Sequence, residues 1–321
     1  QMIKRLSKKA HRNTLSSQAT PYYLFNDAQN RGFVLVAGDN ALGEVLAYSN
    51  ANTLDTTNMN PGARYLLEEY KKSFIALQKK SRQQTRLIKT TSLKTKVPEL
   101  LTSKWNQDSP YNLQLGPNQD GSYPYTGCVA TAVAQIMAFH KWPIQGSGSN
   151  AYRVTHYNDR LTADFSKSRY DWNNMRDEYR SSANEQQKNA VALLMKDVGI
   201  ATNMQYTPWY SGTLTWNAKE AVNQYFQYDA ALLSKATEGS NFVQVIHQEI
   251  SNGYPVYLSG FQSLGKSGHA WVADGYDEKG LTHMNFGWGG QADGYYSIDA
   301  INVENSGAEF GGKSLSFSKG M

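Results

Sequence analysis

Residues 126–137 read TGCVATAVAQIM and place the chain's single cysteine, Cys128, directly after a glycine at the start of an alanine-rich segment. The small apolar side chains predict a closely packed helix over residues 128–140, which ends where Trp142-Pro143 follows. A cysteine at a helix N-terminus meets free N–H groups and partial positive charge, which favour the thiolate. The same N–H groups can stabilise an oxyanion. The stretch therefore favours a nucleophile over a buried structural thiol.

A second stretch, residues 267–290 (SGHAWVADGYDEKGLTHMNFGWGG), predicts a β-hairpin that opens with His269. If the turn is centred on residues 278–279, the residue numbers of each cross-strand pair add up to 557, which sets His269 opposite Trp288. An indole beside an imidazole can fix the ring and exclude water, and Asn285 on the returning strand can accept from the ring N–H. His269 is therefore the expected general base and acid for the cysteine.

The other five histidines fit this role less well. His140 lies on the same predicted helix as Cys128, but a rise of 1.5 Å per residue puts it about 18 Å along the axis. His283 is on the same hairpin, nearer the turn, and stays open as an alternative base. The rest have no flanking signature and are expected at the surface: His11, His156 and His247.

Composition limits the possible classes of protein. The chain has 321 residues, of which 40% are hydrophobic and 18% charged, as in globular proteins of one or two domains. One cysteine makes neither an intramolecular disulfide nor a cysteine-rich zinc site, so no metal site of that kind is expected. No apolar run reaches the roughly 20 residues of a membrane helix, so no membrane partner is expected. The first residue is glutamine, which suggests a processed chain without its targeting segment.

Charge and pattern predict two domains. Residues 1–96 carry 16 Lys and Arg against 6 Asp and Glu, whereas the remainder carries 16 against 21. The two parts can therefore attract each other, and without a nucleic-acid motif the basic part does not predict a nucleic-acid partner. Short strands over residues 21–50 and a helix over residues 61–80 precede a basic, polar linker at 79–96. We place the boundary there, giving domains 1–96 and 97–321.

The second domain is predicted to be α+β, because its helices come early and its strands late. Helices are expected over residues 128–140, 184–198 and 217–226, and strands after residue 240. Residues 260–267 also satisfy the phosphate-binding pattern G-x-x-x-x-G-K-[ST]. That pattern needs a helix directly after it, whereas a β-branched and aromatic run follows here. Nucleotide binding is therefore a disfavoured alternative.

The chain resembles the streptopain family of papain-like cysteine peptidases. The matching strings are TGCVATAVAQIM with HKWP, SGHAWVADG, and NFGWGGQADGYYSIDAIN, and RGFVLVAGDN near the N-terminus is similar to the family's inhibitory prodomain. The resemblance implies a papain-like α+β fold, in which a helical part carries the cysteine and an antiparallel sheet or barrel carries the histidine. It further implies a small α+β prodomain at 1–96 and a catalytic domain at 97–321.

This resemblance implies a secreted cysteine endopeptidase, made as a latent zymogen that is activated by proteolytic removal of the prodomain. Carried over by position, Cys128 is the nucleophile and His269 the general base and acid, with a thioester intermediate. Gln107 in KWNQDSPYN matches the oxyanion-hole glutamine. The implied partners are protein or peptide substrates and the prodomain itself, without a cofactor. The alternative is a non-catalytic module that binds host proteins on a peptidase fold.

Further positions follow from the same resemblance. Trp288 matches a tryptophan packed beside the histidine, and Asn285 matches the family's asparagine in this string. Phe286 departs from the family, which has tryptophan there; if that indole orients the histidine, another group takes over the role. Gly268 is expected to form a wall of the substrate cleft, and the loop with Tyr206 and Trp209 is expected either to add aromatic surface to that cleft or to pack in the core.

Overall fold

A computed structural model describes residues 20–79, 95–118, 121–156, 159–179, 182–207, 209–234, 238–261, 268–301 and 313–319. Five α-helices lie in this part of the chain: α1 (Pro61–Lys79), α2 (Cys128–His140), α3 (Glu185–Ala201), α4 (Thr215–Tyr225) and α5 (Phe242–Ser251). Its strands are β1 (Tyr22–Asn26), β2 (Phe33–Ala37), β3 (Val45–Ser49), β4 (Ser149–Val154), β5 (Asp159–Asp164), β6 (Gln205–Tyr206), β7 (Ser211–Gly212), β8 (Tyr228–Ser234), β9 (Val256–Phe261), β10 (Gly268–Tyr276), β11 (Thr282–Asn285), β12 (Gly294–Tyr296) and β13 (Lys313–Lys319).

One antiparallel sheet of nine strands organises the described residues, in the order β1-β2-β3-β12-β11-β10-β9-β13-β8. The three N-terminal strands join it through β3 and β12, where Tyr48 pairs with Tyr295 and Ala47 with Tyr296. The N-terminal segment therefore extends the sheet that also holds β10. Residues 80–94, which cover most of the predicted linker, lie outside the described residues.

The β10–β11 hairpin has the predicted register. Val272 pairs with Asn285 and Ala273 with Met284, so paired positions sum to 557 as expected. A bulge follows between Ala273 and Gly275. Strand β11 ends at Asn285, so Trp288 lies in the glycine-rich loop beyond the ladder.

Alternating side chains of β10 enter two different cores, as the period of two in a strand requires. Ala270 and Val272 face the core that is formed with α2, α3 and α4. Trp271 and Ala273 face the other core, which includes α1 and α5. The sheet is therefore covered by helices on both faces, with the cysteine-bearing helix on one and the N-terminal helix on the other.

The α+β fold class and the helices near residues 128, 185 and 217 are confirmed. The expected change to strands after residue 240 is wrong at α5, whose buried side chains Phe242, Val243, Ile246 and Ile250 follow a helical period. Strands β4, β5 and β8 were not predicted either. Within the described ranges, no helix is long and apolar enough to cross a membrane.

Candidate active site

The first residue of α2 is Cys128, and the glycine before it shapes the approach. Gly127 has a φ of +88°, a conformation that side chains with a Cβ rarely adopt. A Cβ there would also lie 2.7 Å from Met204 Sδ and 3.0 Å from the Ser211 carbonyl oxygen. Glycine thus lets the chain enter the helix between Met204 and β7. The thiol is left half-buried at the helix N-terminus, as predicted.

Burial and the backbone N–H groups have opposite effects on the pKa of the Cys128 thiol. Burial raises the pKa of Cys128 above its ordinary value, and this effect dominates. Backbone N–H groups of Ala270, of Val129 and of Cys128 itself lower the pKa in part. The helix N-terminus does act on the sulfur as expected, but it does not outweigh desolvation in this state of the chain.

His269 is buried on the face of β10 that packs against α1. Its ring stacks on Trp271, with ring centroids 6.2 Å apart and an interplanar angle of 16°. Its Nε2 lies 3.1 Å from the backbone carbonyl oxygen of Phe286. Burial lowers the pKa of His269 to about 4, although the Phe286 carbonyl raises it in part. The imidazole is therefore neutral near neutral pH, and Nε2 is the protonated nitrogen that donates to this carbonyl.

The N-terminal end of α1 covers this imidazole. A Cβ atom built on Gly62 would lie 2.6 Å from His269 Cδ2 and 2.4 Å from Phe286 Cδ1. Only a glycine lets the helix come this close without displacing the two rings. Tyr65, one turn further along, lies over β9 and β10, with its ring 6.0 Å from that of Trp271. The N-terminal helix thus holds the histidine in its present position.

The loop after β11 is bound by the same N-terminal segment. Asn60 donates from Nδ2 to the Gln291 carbonyl at 2.7 Å, and Gln291 donates from Nε2 to the Asn58 carbonyl at 2.7 Å. Asn52 donates from Nδ2 to the Asp293 carbonyl at 3.0 Å. These contacts hold the loop whose first residue supplies the carbonyl for the imidazole.

A buried carboxyl supports the same loop from inside. Asp293 accepts a hydrogen bond from the Phe286 N–H at 2.9 Å through Oδ1. Burial raises the pKa of Asp293 to about 7. The Phe286 backbone therefore binds the Asp293 carboxyl through its N–H and the His269 imidazole through its carbonyl. The departure from the family at this position thus leaves a backbone contact to the histidine in place.

The two predicted partners are neighbours but are not hydrogen-bonded to each other. The N–H of Ala270, the residue after His269, points at the Cys128 thiol. Among the hydrogen bonds of the described residues, that of the imidazole goes to the Phe286 carbonyl and none joins it to the sulfur. Proton transfer between the two side chains would require a ring nitrogen of His269 to come within hydrogen-bond distance of the sulfur.

Gln107 lies buried beside the entry to α2. Its carbonyl accepts from the Thr126 N–H at 2.9 Å, and its own N–H bonds to Asn106 Oδ1 at 2.9 Å. The backbone of this segment is thus fixed two residues before Cys128. The Gln107 backbone therefore lies beside the residues that lead into α2.

Trp288 and Asn285 occupy different surroundings. Trp288 packs beside the histidine, with ring centroids 6.4 Å apart, and its buried Nε1 has no hydrogen-bond partner within the described ranges. The side chain of Asn285 bonds to Gln135, Ser103 and Gly287, and none of these bonds goes to His269. The structure therefore brings the tryptophan to the imidazole but gives the asparagine a different set of partners.

The three expected substrate-binding residues differ in exposure. Gly268 is exposed at the start of β10, next to His269. Trp209 is 74% exposed just before β7, the strand that abuts Gly127. Tyr206 is buried in the core with α3, so its ring is not presented to a bound peptide in this state.

His283, the alternative base on the hairpin, lies beside carboxylate groups that connect two segments of the chain. His283 Nδ1 lies 2.7 Å from Asp274 Oδ1, and Nε2 lies 3.9 Å from Glu99 Oε1. Burial lowers the pKa of His283, but the charges of Asp274, Asp293 and Glu99 outweigh it and the net pKa is raised. This pair ties the start of the second domain to the hairpin, because Asp274 also accepts from the Leu101 N–H.

Two other expectations concern residues outside the site. His247 was expected at the surface, but it is buried in α5, where its ring stacks on Tyr276 and its Nε2 lies 2.9 Å from Thr282 Oγ1. Residues 262–267 of the phosphate-binding pattern lie outside the described residues, and the first described residues after it form strand β10 and not a helix. Within the described part of the chain, no three His, Cys, Asp or Glu residues are grouped to hold a metal ion.

A cysteine at a helix N-terminus, flanked by a buried glutamine and by a histidine on an adjoining antiparallel sheet, is typical of papain-like cysteine peptidases. Residues 105–296 match the Peptidase C10 family, and residues 2–74 match the Spi protease inhibitor family. The chain belongs to the Peptidase C10 family, a family of cysteine peptidases, and it carries an N-terminal region like an inhibitory prodomain.

Individual relatives agree with this assignment. Streptopain of Streptococcus pyogenes is 32% identical over 302 residues, which cover 87% of this chain and 74% of that protein. The structure of prointerpain A of Prevotella intermedia is similar, with a TM-score of 0.82, 32% identity and coverage of 94% of this chain and 96% of that one. Active interpain A matches with a TM-score of 0.64 and 35% identity, over 71% of this chain and 98% of that one.

The residues that sequence reasoning missed are those that hold His269. The contact of Gly62 and the carbonyl of Phe286 lie far from the histidine in sequence, and neither has a local pattern that would have revealed it. Position 286 was noted only for its side chain, whereas its backbone makes the contact.

Proposed function

We propose that this chain is the latent form of a secreted cysteine endopeptidase in which Cys128 and His269 perform the chemistry. The observation that carries the proposal is the position of the two residues. The sulfur lies at a helix N-terminus next to Ala270, and the imidazole, one residue earlier on β10, is held by the Phe286 carbonyl beneath Gly62. Secretion is proposed because the chain is similar to secreted peptidases, and this similarity includes the N-terminal prodomain-like region.

The proposed reaction is acyl transfer through the sulfur. After His269 turns to Cys128, the imidazole takes the thiol proton and the thiolate attacks the peptide carbonyl carbon. The Cys128 N–H and the Gln107 amide stabilise the oxyanion, and the imidazolium returns its proton to the leaving amine nitrogen. Water, deprotonated by His269, then attacks the thioester carbon, and the acid product leaves as the sulfur is released.

Latency is proposed to act on the imidazole. While α1 packs on His269, the buried neutral ring cannot form an ion pair with the thiolate, and the thiol pKa stays raised. Proteolysis in the segment before Val97 would release the N-terminal region, including the residues that hold the loop after β11. Gly268 and Trp209 are then proposed to contact substrate, while Trp288 shields the histidine from water.

The experiment compares the full chain with Cys128→Ala. We expect the wild-type chain to process itself and then cleave a peptide substrate, and the variant to do neither while keeping the same unfolding midpoint. N-terminal sequencing of the processed chain should give a start near residues 90–100. Processing of purified Cys128→Ala would show that another residue is the nucleophile. A Cys128→Ala chain that binds a host protein as well as wild type, with no cleavage by either, would favour the non-catalytic alternative.

A further inference from the structure

Gln135 is a buried amide on the same face of α2 as Cys128. Seven residues separate the two, which is two helical turns and about 10 Å along the axis. Its exposure is 1%, in a helix whose other buried residues are almost all apolar. A buried amide costs free energy unless its donors and acceptor are satisfied, so its partners matter.

Three buried side chains form a closed ring of hydrogen bonds around this amide. Ser103 Oγ donates to Gln135 Oε1 at 2.8 Å, and Gln135 Nε2 donates to Asn285 Oδ1 at 3.0 Å. Asn285 Nδ2 then donates to the Ser103 carbonyl at 2.7 Å, which closes the ring. None of the three is more than 8% exposed.

Neighbouring backbone groups fix the direction of these bonds. The Gly287 N–H donates to Asn285 Oδ1 at 3.1 Å, and the Ser103 carbonyl needs a donor, so the Asn285 amide fits in one orientation only. Gln135 must therefore present its NH₂ group to Asn285 and its oxygen to Ser103. Neither an ionised glutamate nor an apolar residue can supply both.

The ring joins three segments that each lead to a group of the site. Helix α2 begins with Cys128, the segment after Ser103 leads to Gln107, and the loop after Asn285 contains Trp288. We propose that Gln135 is a positioning residue that sets the distance between the nucleophile and the oxyanion-binding amide. This inference rests on the proposed function, because it concerns the alignment of the same site.

The experiment compares full chains that carry Gln135→Met, Ser103→Ala or both. Each is activated with a trace of processed wild-type chain, and a Cys128→Ala sample treated in the same way gives the background to subtract. The control is Asn223→Leu, which also removes two hydrogen bonds that tie a helix to another element, here α4 to Ala230 in β8. The readouts are kcat and KM for a peptide, the unfolding midpoint, and the rate of Cys128 alkylation by iodoacetamide.

We expect Gln135→Met to lower kcat about 10-fold to 100-fold with KM nearly unchanged, because a misplaced oxyanion donor acts on the transition state. Alkylation should stay close to the wild-type rate, since it needs no oxyanion donor. The double variant should lose little more than either single one, because the two substitutions break one ring. Asn223→Leu should lose stability but keep its kcat.

Several results would overturn this role. These are a wild-type kcat in Gln135→Met, a loss no greater than that of Asn223→Leu, or losses that multiply in the double variant. If Gln135→Met does not fold, the smaller change Ser103→Ala decides by the same criteria. A wild-type chain without Cys128-dependent cleavage would instead overturn the proposed function and this role with it.

Discussion

The helix side and the strand side of the site are held by different parts of the chain. On the helix side, Cys128 and Gln107 are fixed by uncharged hydrogen bonds within the second domain, such as that from Thr126 to Gln107. On the strand side, His269 is covered by Gly62 of the N-terminal helix. The N-terminal region therefore covers the imidazole, whereas the surroundings of Cys128 and Gln107 are formed by residues after Val97.

The two sides also differ in their titratable groups. Apart from the thiol, the helix side is built from hydroxyls, amides and backbone groups. The strand side contains the buried His269 and Asp293 and the partly buried His283, each with a shifted pKa. A change of pH should therefore act on the strand side first.

The largest expected effect is loosening of α1 by acid. The pKa of His269 is about 4, below its ordinary value of 6.5, so below pH 6.5 the unfolded or released state binds the proton first. The stability contributed by the neutral ring is thus present above pH 6.5 and lost as the pH falls toward 4. At pH 5 the loss is about 2 kcal/mol, or about thirtyfold in the population of the released state.

Hydrogen exchange of the α1 amides in the inactive variant Cys128→Ala measures this loosening. At each pH, its exchange rates are compared with those of the double variant Cys128→Ala/His269→Gln. The histidine-dependent difference should grow from pH 7 to pH 5. His247, whose pKa burial also lowers to about 4, serves as the control, because His247→Gln should keep the α1 response. Asp293 and His283 act in the opposite sense, since their raised pKa values add stability in acid. An equal acid response with and without His269 would contradict the prediction.

The next effect concerns the close approach of Gly62. Valine there would press on the rings of His269 and Phe286, and overpacking of this kind costs about 1–3 kcal/mol. We expect Gly62→Val to activate about 10-fold faster than wild type, measured as the appearance of peptide cleavage in the purified full chain. Arg64→Val, an exposed position on the same helix, should activate at the wild-type rate. Slower or unchanged activation of Gly62→Val would show that α1 does not restrain the histidine.

The parts of this site that the sequence predicts are local ones. Helix α2 follows from the glycine and the apolar run around Cys128, and the hairpin register follows from the position of its turn. Contacts between distant segments have no such pattern. The resemblance implies contact between the N-terminal region and the catalytic domain. The pairing of β3 with β12 and the cover of Gly62 over His269 depend on how separate elements pack, so the sequence does not predict which residues make that contact.

Asn285 illustrates the same limit within the site. Its place on the strand next to β10 was predicted, but the direction of its amide depends on Gln135 and Ser103 from two other segments. An asparagine near a histidine in the sequence suggests that its amide orients the imidazole. The hydrogen bonds in the folded chain show that the Asn285 amide binds other groups. The position of Tyr206 likewise depends on packing between distant segments, because its ring lies in the core beside α3.

The smallest expected effect is a difference in activation rate between two substitutions of similar cost in stability, one on each side of the site. Asn60 caps α1 by accepting from the Ala63 N–H at 2.8 Å and also holds the Gln291 carbonyl, so Asn60→Ala should cost about 1 kcal/mol and speed activation about fivefold. Thr131→Val removes the hydroxyl bonds to Thr126 and Gly127 on the helix side at a similar cost in stability. It should leave the activation rate unchanged, because no residue of the N-terminal segment contacts that hydroxyl within the described ranges. Equal activation rates in the two variants would mean that latency depends on overall stability and not on the side of the site that the N-terminal helix covers.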